Sequence, residues 1–178
     1  FDLAHARFVL EHVSRPEAVV EQMRRALRPG GRLVLADDDH ATFTPTPQPP
    51  GFPLLWEAYL RSYDRAGNDP YVGRRLVSLL HRAGLRELRN TIVFFGSCAG
   101  QPLFPAVADN LIGLLTGARD YLLAQQLIDP GSFERGIAGL QTWKALPEAA
   151  LWYGVCWAEG RKGQEGSGGI RAGKRPNA

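Results

Sequence analysis

Apolar residues recur along the chain with two different periods. Residues 1–6 and 32–36 are short apolar runs that read as strands. Between them Val19, Val20, Met23, Ala26 and Leu27 return at helical spacing, with Glu21, Gln22, Arg24, Arg25 and Arg28 on the other face. Ser14 and Glu17 stand three apart just before this helix, the spacing of a capping box with Pro16 in its first turn. Pro29-Gly30-Gly31 stops the helix, because Pro cannot continue the ladder and Gly accepts a left-handed turn. Strand, helix and strand follow at the length of a right-handed parallel crossover, the repeating unit of a doubly wound α/β sheet. Ligands of such sheets bind beyond the C-terminal ends of the strands. That directs attention to residues 6–12 and 37–40.

Five prolines between Thr44 and Pro53 predict an extended loop. Helical patterns follow over residues 54–65 and 72–83, the second stopped at Gly84. Residues 91–95 predict a strand, and residues 102–147 two or three helices broken near Asp129-Pro130-Gly131. Residues 149–158 return to strand. Leu151, Tyr153, Val155 and Trp157 face one way and Trp152, Gly154, Cys156 and Ala158 the other, so a strand covered on both sides is expected.

Charge changes the picture in one place. The net charge of +3 is concentrated in residues 160–178, which hold five basic residues against Glu165. This Gly-rich segment has little to bury and is expected to be a disordered tail after a folded unit of residues 1–159. Basic charge on a tail, with no folded basic face carrying aromatics, argues against a nucleic-acid reader. Cys98 and Cys156 form neither a disulfide framework nor a metal pattern, which suits a reducing cytoplasm. No run reaches the ~18 apolar residues of a membrane span. The chain opens inside an apolar run without an initiator Met, and is read as part of a longer protein.

Three segments together resemble the class I S-adenosylmethionine-dependent methyltransferases. FDLAHARFVLEHVSRPEAVVEQMRRALRPGGRLVLADDD, residues 1–39, is similar to that family's fourth strand, the helix after it and its fifth strand; Leu-Arg-Pro-Gly-Gly is its most recognisable turn. Residues 73–86, with Leu76, Leu79 and Ala83-Gly84-Leu85, look like the helix entering the sixth strand. WYGVCWAEGRK, residues 152–162, resembles the closing strand that runs antiparallel to the sixth. The resemblance implies an α/β fold, the C-terminal part of a Rossmann-like methyltransferase sheet, with a helical insertion before the last strand. The family's glycine-rich loop and ribose-binding acid have no counterpart in the sequence, so the chain is expected to carry only the rim of the cofactor pocket and to be inactive alone.

By the same resemblance, Ala6 and Arg7 offer backbone groups to the methionine portion of S-adenosylmethionine, and Phe8 covers the sulfonium. Phe8 also reads as a core aromatic. His12 is the candidate general base, with substrate contact and loop scaffolding as its alternatives. Glu11, Asp37 and Asp38 are candidate substrate contacts. Asp37, Asp38, Asp39 and His40 have the right donors for Mg²⁺. Consecutive residues cannot all converge on one ion without a special turn, and no further ligand is evident elsewhere, so no metal site is assigned. His5 reads as a core histidine and His81 as a surface one. The expected function is methyl transfer to a small-molecule acceptor, in the context of a longer chain. The alternative is a non-catalytic remnant or interaction module.

Overall fold

The structure is a computed structural model that describes residues 1–164. Five strands form one sheet. β1 (Leu3–Arg7) lies parallel to β2 (Arg32–Asp38). β5 (Ala150–Arg161) inserts antiparallel between β2 and β4 (Arg86–Cys98). A three-residue β3 (Thr44–Thr46) pairs with the start of β5. The proline-rich stretch is therefore not wholly loop. A three-residue strand at the end of a partner asks few N–H groups of the ladder, and Pro45 can sit in it.

The β1–β2 crossover runs through α1 (Pro16–Ala26). The expected capping box is absent. The N-cap is Arg15, which makes no side-chain bond, and the Glu17 carboxylate lies 3.0 Å from the Arg75 guanidinium instead. The Glu17 carboxylate thus serves a long-range ion pair and not a local cap. Gly30 turns the chain at φ 77°, and a Cβ on Gly31 would stand 2.9 Å from the Arg28 carbonyl, so the double glycine is required here.

α2 (Phe52–Ala66) and α3 (Leu76–Arg82) follow β3, with a 3-10 turn at Val72–Arg75 before α3. Between β4 and β5 the chain forms α4 (Phe104–Gly117), α5 (Arg119–Ala124) and α6 (Pro130–Lys144). Two apolar clusters result. One joins β1, β2, α1 and α3 around Leu10, Val20, Leu33, Leu35, Leu76 and Leu80. The other joins α2 to the helical insertion around Leu55, Trp56, Leu111, Leu115, Leu140 and Trp143. β5 supplies Ala158 to the first and Leu151 to the second, so it ties the insertion to the sheet.

Three expectations are corrected. Gly160 and Arg161 belong to β5, and Lys162 continues the order: its N–H and carbonyl bond Gly31 and Gly30, and its Nζ lies 2.6 Å from the Leu27 carbonyl. The expected tail thus begins later than residue 160, and its remainder from residue 165 lies outside the described residues. His5 is exposed, because the face of β1 bearing Leu3, His5 and Arg7 has nothing over it among the described residues. Trp152 is 60% exposed, beside Phe94 and Phe95 of β4, so the cover expected on both sides of β5 fails there, while Gly154 and Ala158 on the same face, and Leu151 and Val155 on the other, are buried. Among the described residues no helix is long and apolar enough to cross a membrane.

Candidate active site

The parallel register pairs Ala6 with Leu35 and Arg7 with Ala36. The segment after β1 is thereby laid beside the end of β2, 29 residues away in sequence. Phe8 breaks out of the strand at φ 54°, a conformation that costs an aromatic residue energy. Its N–H donates to the Ala36 carbonyl at 3.0 Å and helps hold that bend. The Arg7 guanidinium stacks 4.5 Å from the centroid of the Phe8 ring. Ala6 is buried at the base of this bend, whereas Arg7 and Phe8 are exposed. β1 pairs only with β2 among the described residues, which leaves this corner open on its other edge.

Asp37 fastens the loop. It has no exposed surface, and its Oδ2 accepts the N–H groups of Val9 at 3.1 Å and Leu10 at 2.8 Å. Burial pushes its carboxyl up, and those N–H donors offset only part of the cost. The carboxylate is spent on backbone, so Asp37 shapes the site and does not face a substrate as expected.

The Leu10–His12 3-10 turn then points Glu11 inward and His12 outward. Glu11 is 3% exposed, while the His12 side chain is 56% exposed and stacks on Tyr63. The Glu11 carboxylate reaches both histidines: Oε1 is 3.4 Å from His12 Nε2, and Oε2 is 3.0 Å from His40 Nε2. Burial pushes Glu11 up, but the His40 hydrogen bond and charge, with His12 behind them, hold it below the usual carboxylate range. His40 Nδ1 lies 3.1 Å from the Tyr153 hydroxyl. Both ring nitrogens of His40 are thus engaged, Nε2 by the Glu11 carboxylate and Nδ1 by the Tyr153 hydroxyl, which fixes the ring between the two.

Asp38 completes the group. It is 8% exposed, and its Oδ1 has no hydrogen-bond partner among the described residues. Burial first, then the charge of Glu11, push its carboxyl up to about 6, although the Tyr153 hydroxyl beside it pulls the other way. Burial and the Asp38 charge likewise raise the Tyr153 phenol and keep it neutral. Asp39 is set apart by a bidentate pair with Arg74, at 2.7 and 2.6 Å. Gly73 lets this support approach, since a Cβ there would stand 2.6 Å from the Asp38 carbonyl.

Asp38, His40 and Tyr153 share one wall of a cavity of about 170 Å³. Phe43, Trp56 and Phe95 make it aromatic, and Asn110, Leu111 and Leu114 of α4 cover it from the insertion. The sequence exposed Glu11 and Asp38 as candidates, but not their meeting with His40 and Tyr153. Tyr153 had one visible signal, its place on the same face of β5 as Leu151 and Val155. Glu11 is also the ligand that the acidic run lacked in the sequence. Glu11, Asp38 and His40 bring ligand atoms within 4.8 Å of one another.

A family model described as a methyltransferase domain matches residues 1–89, and the chain belongs to that family. No curated protein matches significantly. Solved structures that resemble it include a Haemonchus contortus phosphoethanolamine N-methyltransferase in complex with phosphomonomethylethanolamine and S-adenosylhomocysteine (12% identity, TM-score 0.44). A candidate methyltransferase from Bacillus halodurans (16%, 0.45) and the cyclase SpnF (18%, 0.40) are similar at the same level. Each match covers 92% of this chain, which spans 34%, 70% and 50% of those proteins respectively.

Proposed function

We propose that the chain contributes the acceptor side of an S-adenosylmethionine-dependent methyltransferase that acts on a small molecule, within a longer protein. The observation that carries this reading is the line of polar contacts from the aromatic cavity to the surface. It runs Asp38, Tyr153, His40, Glu11, His12, with 3.1, 3.0 and 3.4 Å for its last three steps. A methyl acceptor loses a proton as its new bond forms, and a buried site needs a way to discharge it.

The cofactor supplies a methyl carbon already activated by an adjacent sulfonium. Ala6, Arg7 and Phe8 would hold its methionine end. They fit a sulfonium in one respect: the Phe8 ring already takes the positive charge of Arg7 on one face. The remaining work falls to this chain's own residues. The cavity positions the acceptor, which can supply much of such a rate enhancement without a protein nucleophile. Asp38 or His40 takes the proton, Glu11 holds the His40 ring in register, and His12 returns the proton to solvent as the exposed general base of the chain. α4 sets the size of acceptor that enters.

The test is transfer of labelled methyl from S-adenosylmethionine by the full-length protein, with His12→Ala as the variant. We expect a loss of roughly 10²-fold in turnover, the usual scale of acid–base catalysis, with unchanged thermal stability because the ring is largely exposed. A loss below about threefold would remove His12 from the mechanism.

A further inference from the structure

The cavity's chemistry narrows the acceptor, on the assumption that the site transfers methyl groups at all. Four carboxylates cluster at the end of β2 and the turn after β1, and three of them are satisfied. Asp37 accepts backbone N–H groups, Asp39 holds Arg74, and Glu11 bonds His40. Asp38 is the exception, with more than nine-tenths of its surface buried, one oxygen unpartnered, and a place in the cavity wall. A buried carboxylate without a cation or donor set is costly, and such groups persist where a ligand completes them.

The rest of the wall says which ligand. Phe43 and Trp56 stack with ring centroids 4.7 Å apart, Phe95 meets Tyr153 edge to face at 5.2 Å, and all four rings border the same space. Aromatic faces attract organic cations, most strongly when water is excluded. They offer nothing to the oxygens of a phosphate or carboxylate, and Asp38 and Glu11 repel both. We infer that the acceptor is a small amine, bound as its ammonium with N–H donated to Asp38 and its carbon substituents against Trp56, Phe43 and Phe95.

The arrangement also balances the chemistry. The ammonium gives its proton to the Asp38 carboxylate, which burial makes a better proton acceptor than an ordinary aspartate. The freed nitrogen lone pair forms the new N–C bond, the donor's S–C bond breaks, and its electron pair stays on sulfur. The product is again an ammonium. It is more methylated, and it is still suited to the aromatic wall.

A divalent cation on Glu11, Asp38 and His40 is the competing occupant. It is disfavoured because Glu11 and His40 already satisfy one another at 3.0 Å, and because the cavity beyond Asp38 is lined mainly by carbon.

Titration of the full chain with trimethylammonium, neutral tert-butanol, MgCl₂ and MnCl₂, without cofactor, separates these cases. It is followed by calorimetry and by the Trp56 indole NMR signal. We expect saturable trimethylammonium binding, at least about tenfold weaker binding of tert-butanol, and a loss of about tenfold or more in both Asp38→Asn and Trp56→Leu. Equal binding of the alcohol overturns the inference, as does Mn²⁺ binding abolished by Asp38→Asn with no ammonium binding. In the complete enzyme, methylation of alcohols but not amines would refute the amine assignment and leave methyl transfer standing. Ammonium binding without transfer to any acceptor would uphold this binding site and refute the transfer reading.

Discussion

Replacing Asp38 with Asn should stabilise the protein at neutral pH. The carboxyl is raised from 3.8 to about 6, chiefly by burial and then by Glu11. The folded state therefore holds this proton more tightly than the unfolded chain. Stability falls as pH rises through the window between those two values, and the full cost is present above it. Two units at 1.36 kcal/mol each make that cost about 3 kcal/mol, an upper figure because the Asp38 and Glu11 carboxyls share their field. Asn carries no charge, fills nearly the same volume, and offers an N–H₂ to the neighbouring carboxylate. Urea and thermal unfolding of both proteins between pH 3.5 and 8 measures the difference. We expect Asp38→Asn to melt about 5–10 °C higher at pH 7.5 on the scale of a domain this size, with the gap closing below pH 4. Equal or lower stability of Asp38→Asn at pH 7.5 would refute the reasoning, and so would a gap independent of pH. The second result would mean that the gain came from packing and not from relief of a buried charge.

Other perturbations test the scaffold. Asp37→Ala strands the Val9 and Leu10 N–H groups and should cost about 2–3 kcal/mol in urea unfolding, whereas Asp37→Asn keeps one acceptor and should cost about half of that. Gly139→Ala should destabilise by about 3 kcal/mol in the same assay, since its Cβ would stand 2.0 Å from the Pro50 carbonyl, where α6 meets the approach to α2. Tyr153→Phe removes the hydroxyl bonded to His40 Nδ1. Trimethylammonium binding should survive it while turnover of the full-length enzyme falls about tenfold or more, and unchanged turnover would exclude Tyr153 from the proton path.

Local chemistry made much of the framework legible. The helical period around Val19, Val20 and Met23, the Leu-Arg-Pro-Gly-Gly stop and the apolar run of β2 each encode an element within a dozen residues, because propensity and turn geometry act at that range. Element extents were less readable. β4 runs 13 residues, including Gly96-Ser97-Cys98, because its pairing with β5 from Arg86 to Cys98 supplies ladder bonds that no strand propensity would suggest. The Ser14–Glu17 spacing predicted a cap, yet Arg75, 58 residues away, claims the Glu17 carboxylate. The site itself belongs to tertiary structure. Glu11 and His40 are 29 residues apart and His40 and Tyr153 are 113 apart, and they meet through the β1–β2 register and the insertion of β5 beside β2. The sequence alone identified the acidic residues as candidates. Which carboxylate latches a loop, which pairs with an arginine and which is left unsatisfied depended on donors that arrive from other elements, because burial and hydrogen bonding are properties of neighbours in space.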